Sequence, residues 1–393
     1  MITVEEAKGI IFDRTRRLDP ISSSLEEALG LVLAEDIHSD QDLPPFDNSA
    51  MDGFAVRSGD IENPLLVIGE LAAGSLFEGE IKTGEALRIM TGAMLPPGAD
   101  AVLKFEDSET RDGRVKALVS LRQGENVRRK GEDIKKGMKV LPEGLILRPA
   151  QLGVLASLGI TKISVFPRPR VGILSTGDEV IAPGQPIMPG QIRDSNSTIL
   201  AALVREAGGI PVLLGIAPDR REEIEKKFEE AKDFEAFITS GGVSMGDFDY
   251  VGETAKKRGK IFFDQVAQQP GKPFTFGEVN EKPFFGLPGN PVSTMVTFTL
   301  YLRPALRKMM GYEELEAPRC LVRIEEDIEK RKKRRQFLRA VREKNSSGEI
   351  LARLTGPQGS GILRSMAIAD SLLIVPEGEG SFEKGTLLEA IPL

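Results

Sequence analysis

"RVGILSTGDEV", Arg170 to Val180, decides how the chain is read. Its first half is a short apolar run behind Pro169, too short for a helix and suited to a buried strand. Its second half is small, hydroxylic and acidic, the composition of a loop that presents ligands. Outward from it the pattern alternates. Asn196 or Ser197 caps a helix, "TILAALVREAGG"; "IPVLLGI" is a second strand; Asp219 and Glu222 bracket the start of the helix "RREEIEKKFEEAK" as a capping box. "EAFITS" is a third strand and runs into "GGVSMGDFDY". A helix follows, then "KIFFDQVA", "PGKPFTFG", "KPFFGLPGNP" and a helix to Met310. Strands alternating with helices predict a mostly parallel sheet with helices on both faces.

The flanks differ. The N-terminus reads as helical, with capping boxes Thr3/Glu6 and Ser24/Glu27 and apolar Ile10, Ile11 and Leu18. "LVLAEDI" reads as a short strand. "PPFDNSAMDGFAV", Pro44 to Val56, then opens a region of β-rich runs, Leu65 to Ile68, Ala101 to Phe105 and Val115 to Leu121, separated by Gly, Pro and Asp turns. "LRPAQLGVLASLG" is a helix from Pro149 to Gly159 that returns the chain to its N-terminal unit. After Pro318, "CLVRI", "QFLRAVRE", "EILARL" and "SLLIVP" are strands, with "NSSG", Asn345 to Gly348, a turn between two of them. The fold class expected is multidomain α/β plus β. Its parts are a discontinuous helical unit (1–45 plus 141–168), an inserted β domain (46–140), an α/β domain (169–314) and a C-terminal β domain (315–393).

At 393 residues the chain is too long for one typical core. Hydrophobic residues at 40% and charged ones at 28% suit a soluble globular protein. No apolar run approaches the roughly 20 residues that cross a bilayer; Thr294 to Leu302 is cut off by Arg303 and Pro304. The acidic start "MITVEEAKGI" is unlike a secretory signal, so a cytoplasmic protein is expected. One cysteine, Cys320, and one histidine, His38, exclude an internal disulfide and a Cys/His zinc cluster. Both read as structural residues, His38 at the surface and Cys320 in a strand. A metal here would be a hard cation on carboxylates and phosphates. A net charge of −7 argues against nucleic-acid binding. The exception, "KRKKRR" from Lys330 to Arg335, reads as a solvated loop between strands. Abundant Lys, Arg and Glu without Trp point to a thermophile.

Open α/β sheets bind ligands beyond the carboxyl ends of their strands. There the first strand delivers Ser175, Thr176, Gly177, Asp178 and Glu179. The third delivers Ser240, Gly241, Gly242, Val243, Ser244, Asp247 and Asp249. A later one delivers "GLPGNPVS", with Pro288, Gly289, Asn290 and Ser293. Loops of this kind cradle phosphate on backbone N–H groups. Lys272, between the prolines of "QPGKP", suits an oxyanion. Glu179, Asp219 and Asp249 would repel phosphate unless a divalent cation such as Mg²⁺ lies between, and Glu179 and Asp249 are its candidate ligands. Neither a Walker A motif nor a GxGxxG after the first strand is present, which disfavours kinases and dehydrogenases.

Taken together, "PPFDNSAMDGFAV", "MTGA", "GED", "STGDEV", "SGGVSMGDFDY", "PGKP" and "GLPGNPVS", in this order, resemble the molybdopterin molybdenumtransferase family, MoeA, which includes the gephyrin E domain. The resemblance runs over nearly the whole chain. It implies four domains: the discontinuous N-terminal unit, the inserted β domain, an α/β molybdopterin-binding domain and a C-terminal β-barrel. It also implies a homodimer whose cleft lies between the α/β domain of one subunit and the inserted domain of the other. The implied reaction inserts molybdate or tungstate into adenylylated molybdopterin, with Mg²⁺, and releases AMP. The implied partners are an adenylyltransferase and recipient apoenzymes. By motif position, Asp52, Thr91 and Asp133 resemble cleft residues of the inserted region, and Glu179, Asp219, Asp249 and Lys272 those of the α/β domain. Arg339 in "FLRAV" and Ser360 in "GPQGSG" resemble the pair from the C-terminal domain. One departure is Gln269, where the family often has lysine. The α/β part alone also resembles molybdopterin adenylyltransferases and a family with nucleotide pyrophosphatase activity, and the gephyrin relationship raises a non-catalytic scaffold as a further alternative.

Overall fold

The computed structural model describes residues 1–242, 250–330, 333–378 and 380–393. Asp249, Ser244, Val243 and Asp247 therefore lie outside the described residues, as do Arg331 and Lys332 of the basic run. The chain divides into two compact units: Met1–Ser22, Gly30–Ala34 and Ser164–Leu393 form one, Ser23–Leu29 and Glu35–Ile163 the other.

The larger unit contains a six-stranded sheet. Its order is Ile210–Ala217, Arg170–Thr176, Ala236–Ser240, Lys282–Leu287, Pro273–Val279 and Gly259–Gln265. The first four strands are parallel and the last two antiparallel. Side chains alternate across it. Val171 and Ile173 join one core with Leu200 and Val204 of the Asn196–Glu206 helix, Val292 and Val296 of the Pro291–Thr297 helix, and Val4, Ala7 and Ile11 of the Val4–Arg14 helix. Leu174 faces the other way, onto Ile224 and Phe228 of the Arg221–Glu230 helix and Val251 and Ala255 of the Tyr250–Arg258 helix. Both faces are covered, so the parallel strands read as continuous apolar runs.

The same unit carries a closed barrel. Cys320–Ile324, Arg335–Lys344, Ile350–Leu354, Ser371–Val375 and Leu387–Pro392 close through a pairing of Arg335–Lys344 with Ser371–Val375. Closure removes the exposed edges. Leu387–Pro392 was not expected from sequence; "LLEAIP" has its alternation broken by adjacent apolar residues. Asn345 makes the expected turn, its Oδ1 accepting from the Ser347 and Glu349 N–H groups at 3.1 and 2.9 Å.

The smaller unit holds a mixed six-stranded sheet in the order Ala101–Lys104, Gly53–Val56, Glu85–Ile89, Leu65–Leu71, Arg114–Ala117 and Ser108–Arg111. Ala55, Leu87 and Val102 fill one side; Phe54, Val56, Ala86 and Leu103 fill the other. The helix Pro149–Ser157 has Pro at its start and Gly159, φ +74°, just past its end, as expected.

Several local expectations are corrected. Thr3 and Glu6 do form a capping box, but Ser24 and Glu27 open no helix: Gly30, φ +77°, turns the chain at once. "LVLAEDI" is two strands, Val32–Leu33 and Ile37–His38. The run from Val115 stops at Ala117, and Leu118 and Val119 are exposed. Ser195, not Asn196 or Ser197, is the N-cap residue of its helix, and the Asp194 carboxylate accepts the Ser197 N–H at 2.9 Å. Asp219 caps nothing; its helix starts at Arg221. The basic run is no solvated loop at its ends: Lys330 is buried, and Arg335 is ion-paired with Glu5 and Glu377. His38 is exposed and Cys320 lies in a strand, as expected. Among the described residues no helix is long and apolar enough to cross a membrane.

Gly53 sits between two paired strands, facing Ile89 and Lys104. A Cβ there would lie 2.0 Å from the Leu103 carbonyl oxygen, and backbone cannot swing aside. Gly53→Ala is expected to destabilise the smaller unit by about 1–3 kcal/mol. A lower urea midpoint at unchanged slope checks this; an unchanged midpoint would refute it.

Candidate active site

The parallel register sets the geometry. Ser175 lies beside Ser240, and Ser240 beside Leu287. Three strands therefore end at one level, and the loops that follow them converge. They enclose a cavity of about 140 Å³ lined by Ser175, Thr176, Gly177 and Glu179, by Asp194 and Asn196, by Asp219, by Ser240, Gly241 and Gly242, and by Gly289 and Pro291.

Asn196 joins these loops. Its Nδ2 donates to Ser240 Oγ at 2.7 Å and to the Gly289 carbonyl at 2.8 Å. Ser175 and Ser197 hydroxyls share a hydrogen bond at 2.8 Å. Two buried oxygens lining the same space, Thr176 Oγ1 and Asn196 Oδ1, have no partner among the described residues. Buried polar atoms are normally satisfied, so unpaired ones here mark a place built for a polar ligand. Gly241 and Gly242 have φ of +90° and +65°. A Cβ on either would strike the Thr176 carbonyl at 2.8 Å or Val251 Cγ2 at 2.5 Å, so only glycine lets this turn approach so closely.

Acids gather at the rim. The Asp219 N–H donates to Asp178 Oδ1 at 3.1 Å. Burial, then the charges of Asp178 and Glu179, push the Asp219 carboxyl above the usual range. Hard oxygen donors that repel one another suit a hard cation. Among the described residues no three acidic side chains close around a metal by themselves.

The remaining expected residues fall elsewhere. Lys272 is exposed on its loop, and its side chain makes no hydrogen bond or ion pair among the described residues. Pro288 is buried, its carbonyl accepting from Thr294 Oγ1 at 2.7 Å; Asn290 starts the next helix, and Ser293 is buried within it. None of the four lines the cavity. Ser360 meets that helix through its carbonyl, which accepts the Val292 N–H at 3.3 Å. Arg339 is fully buried, bonded to Ser365 Oγ and the carbonyls of Pro357, Gln358 and Gly359. It shapes the loop that carries Ser360. Gln269 accepts from Gln336 Nε2 at 3.3 Å.

In the smaller unit, Asp52 Oδ1 accepts from the Thr91 N–H and hydroxyl at 2.7 and 2.8 Å. The N–H bond, then the hydroxyl, hold its pKa below the ordinary range. Asp47 is held likewise by the Lys130 N–H and by Arg129. Asp133 is exposed, its own N–H donating to the Leu43 carbonyl. Sequence reasoning missed Asn196, Asp194 and Arg193 as lining residues, because "RDSNS" before an apolar helix also reads as a cap.

A carboxyl with a raised pKa weakens the fold once ionised. The penalty is absent below the ordinary aspartate range and grows as pH rises through the raised value. Asp219→Asn is therefore expected to raise the thermal midpoint at about pH 7, with the gain vanishing near pH 3, where the wild-type carboxyl is neutral. Scanning calorimetry across pH tests it; a pH-independent difference would contradict it.

Comparison with known proteins agrees along the chain. Residues 2–159 match the MoeA N-terminal region (domain I and II), 172–308 a probable molybdopterin-binding domain, and 322–393 the MoeA C-terminal region (domain IV). A molybdopterin molybdenumtransferase of Haemophilus influenzae is 38% identical, over 94% of this chain and 93% of its own length. Molybdopterin molybdenumtransferase 2 of Mycobacterium tuberculosis is 39% identical over 99% of each chain. The crystal structure of a molybdopterin biosynthesis MoeA protein from Pyrococcus horikoshii superposes with a TM-score of 0.86 at 34% identity, covering 100% of this chain and 99% of the other. Matched from end to end in sequence and in fold, the chain belongs to the MoeA family of molybdopterin molybdenumtransferases.

Proposed function

We propose that the chain completes molybdenum cofactor by inserting molybdate, or tungstate, into adenylylated molybdopterin and releasing AMP. The observation that carries this reading is the acidic rim of Asp178, Glu179 and Asp219 on a cavity with hydroxyl and amide oxygens that have no partner among the described residues. Such a site suits a phosphoanhydride that arrives with a cation. Mg²⁺ bound there would neutralise phosphate charge and polarise the bond that breaks. Glu179, with Asp249 as a further candidate, would hold it, and Asp219 is placed beside them. Ser175, Thr176, Gly177, Ser240, Gly241, Gly242 and Gly289 would bind and orient the substrate, with Ser244 assigned by sequence. Lys272, exposed and unpaired among the described residues, supplies a positive charge for the incoming oxyanion. Position accounts for much of the rate in such chemistry, because both reactants are anions held together against repulsion.

The wider reading is that of a cytoplasmic homodimer of four-domain subunits. Asp52, Thr91 and Asp133 of one copy would complete the cleft of the other, with Arg339 supporting Ser360. An adenylyltransferase would supply the substrate and apoenzymes would take the product. The firm hold of Thr91 on Asp52 supports a fixed anionic wall.

Purified protein given adenylylated molybdopterin and Mg²⁺ is expected to release AMP only when molybdate or tungstate is present. Glu179→Ala should remove that release, and Lys272→Ala should lower it about 100-fold, as expected when a positioned charge is lost. Release without any oxyanion would make the chain a pyrophosphatase. No release, with adduct formation from molybdopterin and ATP, would make it an adenylyltransferase. No turnover of either kind would favour the scaffold.

A further inference from the structure

We infer that Tyr301 is a positioning residue for the oxyanion: acting through Gln268, it sets the direction in which the Lys272 ammonium projects. This rests on the reading proposed above, in which Lys272 meets the incoming oxyanion. Lys272 does not set its own position. Its side chain is exposed, and no hydrogen bond or ion pair holds it among the described residues. Its backbone is what can be fixed, and that is done from inside the protein.

The hydrogen bonds of this device run in one direction. Tyr301 is completely buried. Burial pushes its hydroxyl well above the ordinary phenol range, so the proton stays in place to be donated. The acceptor is Gln268 Oε1. With that oxygen taken, the buried amide of Gln268 must present Nε2 elsewhere, and Nε2 donates to the Pro270 carbonyl at 3.1 Å. Two residues on, the Lys272 carbonyl accepts the Val266 N–H at 3.0 Å. Gly271, between these two anchors, lies against the amide: a Cβ there would stand 2.7 Å from Gln268 Nε2. Pro270 and Pro273 restrict the backbone on either side. The stem of Lys272 therefore leaves the loop in a set direction.

Tyr301 grips both ends of the loop. Its hydroxyl reaches Pro270 by way of Gln268, and its ring stacks on Phe274, centroids 4.9 Å apart, just after Pro273. Filling the core does not require this chemistry. Phe and Met would occupy the same space with no polar group to desolvate, and replacing both partners of a buried hydrogen bond by apolar groups of like shape is nearly neutral for stability. What only the polar pair supplies is a donor aimed at the Pro270 carbonyl.

The test is AMP release from adenylylated molybdopterin with Mg²⁺ over a range of molybdate concentrations. It compares wild type, Tyr301→Phe, Lys272→Ala, their combination, and Tyr301→Phe joined with Gln268→Met. Tyr301→Phe is expected to raise the half-saturating molybdate concentration about tenfold, the scale of one buried hydrogen bond, and to leave that of adenylylated molybdopterin unchanged. The apolar pair should show the same loss while melting close to wild type. On the Lys272→Ala background Tyr301→Phe should add nothing, because a residue that acts through Lys272 has nothing left to position. An unchanged molybdate dependence in Tyr301→Phe, or an equal further loss without Lys272, overturns the positioning role and leaves the proposed reaction standing. A wild-type protein whose AMP release ignores molybdate removes the role together with the reading on which it rests.

Discussion

A single side-chain amide fixes the site. The parallel register brings three strand ends level, but it says nothing of the loops beyond them. Asn196 supplies what is missing. One nitrogen, Nδ2, donates both to a hydroxyl on the loop after one strand and to a carbonyl on the loop after another. The amide cannot flip without cost, because the Gly289 carbonyl accepts and never donates. Its oxygen is thereby committed to the remaining direction and has no partner among the described residues. A buried acceptor without a donor costs about 1–3 kcal/mol, and a fold tolerates that cost where binding or catalysis benefits.

The loop of Lys272 is held by a different device, from below. Gln268 is completely buried; its Nε2 donates to the Pro270 carbonyl at 3.1 Å, and its Oε1 accepts from the Tyr301 hydroxyl. Tyr301 lies in a π-helical turn, Phe298–Leu302, between two α-helices. Such turns often occur at functional sites, and this one supports the loop. Gly271 has no room for a side chain, since a Cβ would lie 2.6 Å from Thr297 Oγ1. The barrel reinforces the arrangement: the Gln268–Gln269 strand pairs with Arg335 and Gln336 at its rim. Gln269 thereby has a neutral partner in Gln336, and the neighbouring Arg335 is already paired with Glu5 and Glu377. The positive charge of this loop is then that of Lys272.

Much of this was legible in sequence, and the exceptions have one cause. Strand runs such as "RVGIL" and "EAFITS" are local statements, because burial on both faces demands apolar residues throughout. The glycines of "SGG" and the proline of "LRPAQ" are local too. Roles decided by partners distant in sequence were not legible. Asn196 reads as a cap, since caps and ligand amides use the same residue types; only its neighbours Ser240 and Gly289 distinguish them. Arg339 is placed from sequence only by its motif, and only the return of the 357–359 carbonyls shows it enclosed. Leu387–Pro392 becomes a strand because a barrel needs closing.

The acids show how structure separates support from chemistry. Asp36, Asp42, Asp47 and Asp52 in the smaller unit all accept backbone N–H bonds, and all are held below the ordinary carboxylate range. They are anchors first: each fixes a turn against a distant segment. Asp219 is opposite in kind. Its environment is partial burial and the charges of Asp178 and Glu179, which outweigh the one backbone donor it has, that of Asp178. A fold that wanted only stability would place an apolar residue there instead of a third acid. Asp52 falls between the two: both Thr91 bonds land on Oδ1, so the anchoring uses one oxygen and orients the other. A carboxylate fixed by one oxygen is better placed to act on a ligand than a free one, because its orientation is already set before the ligand arrives.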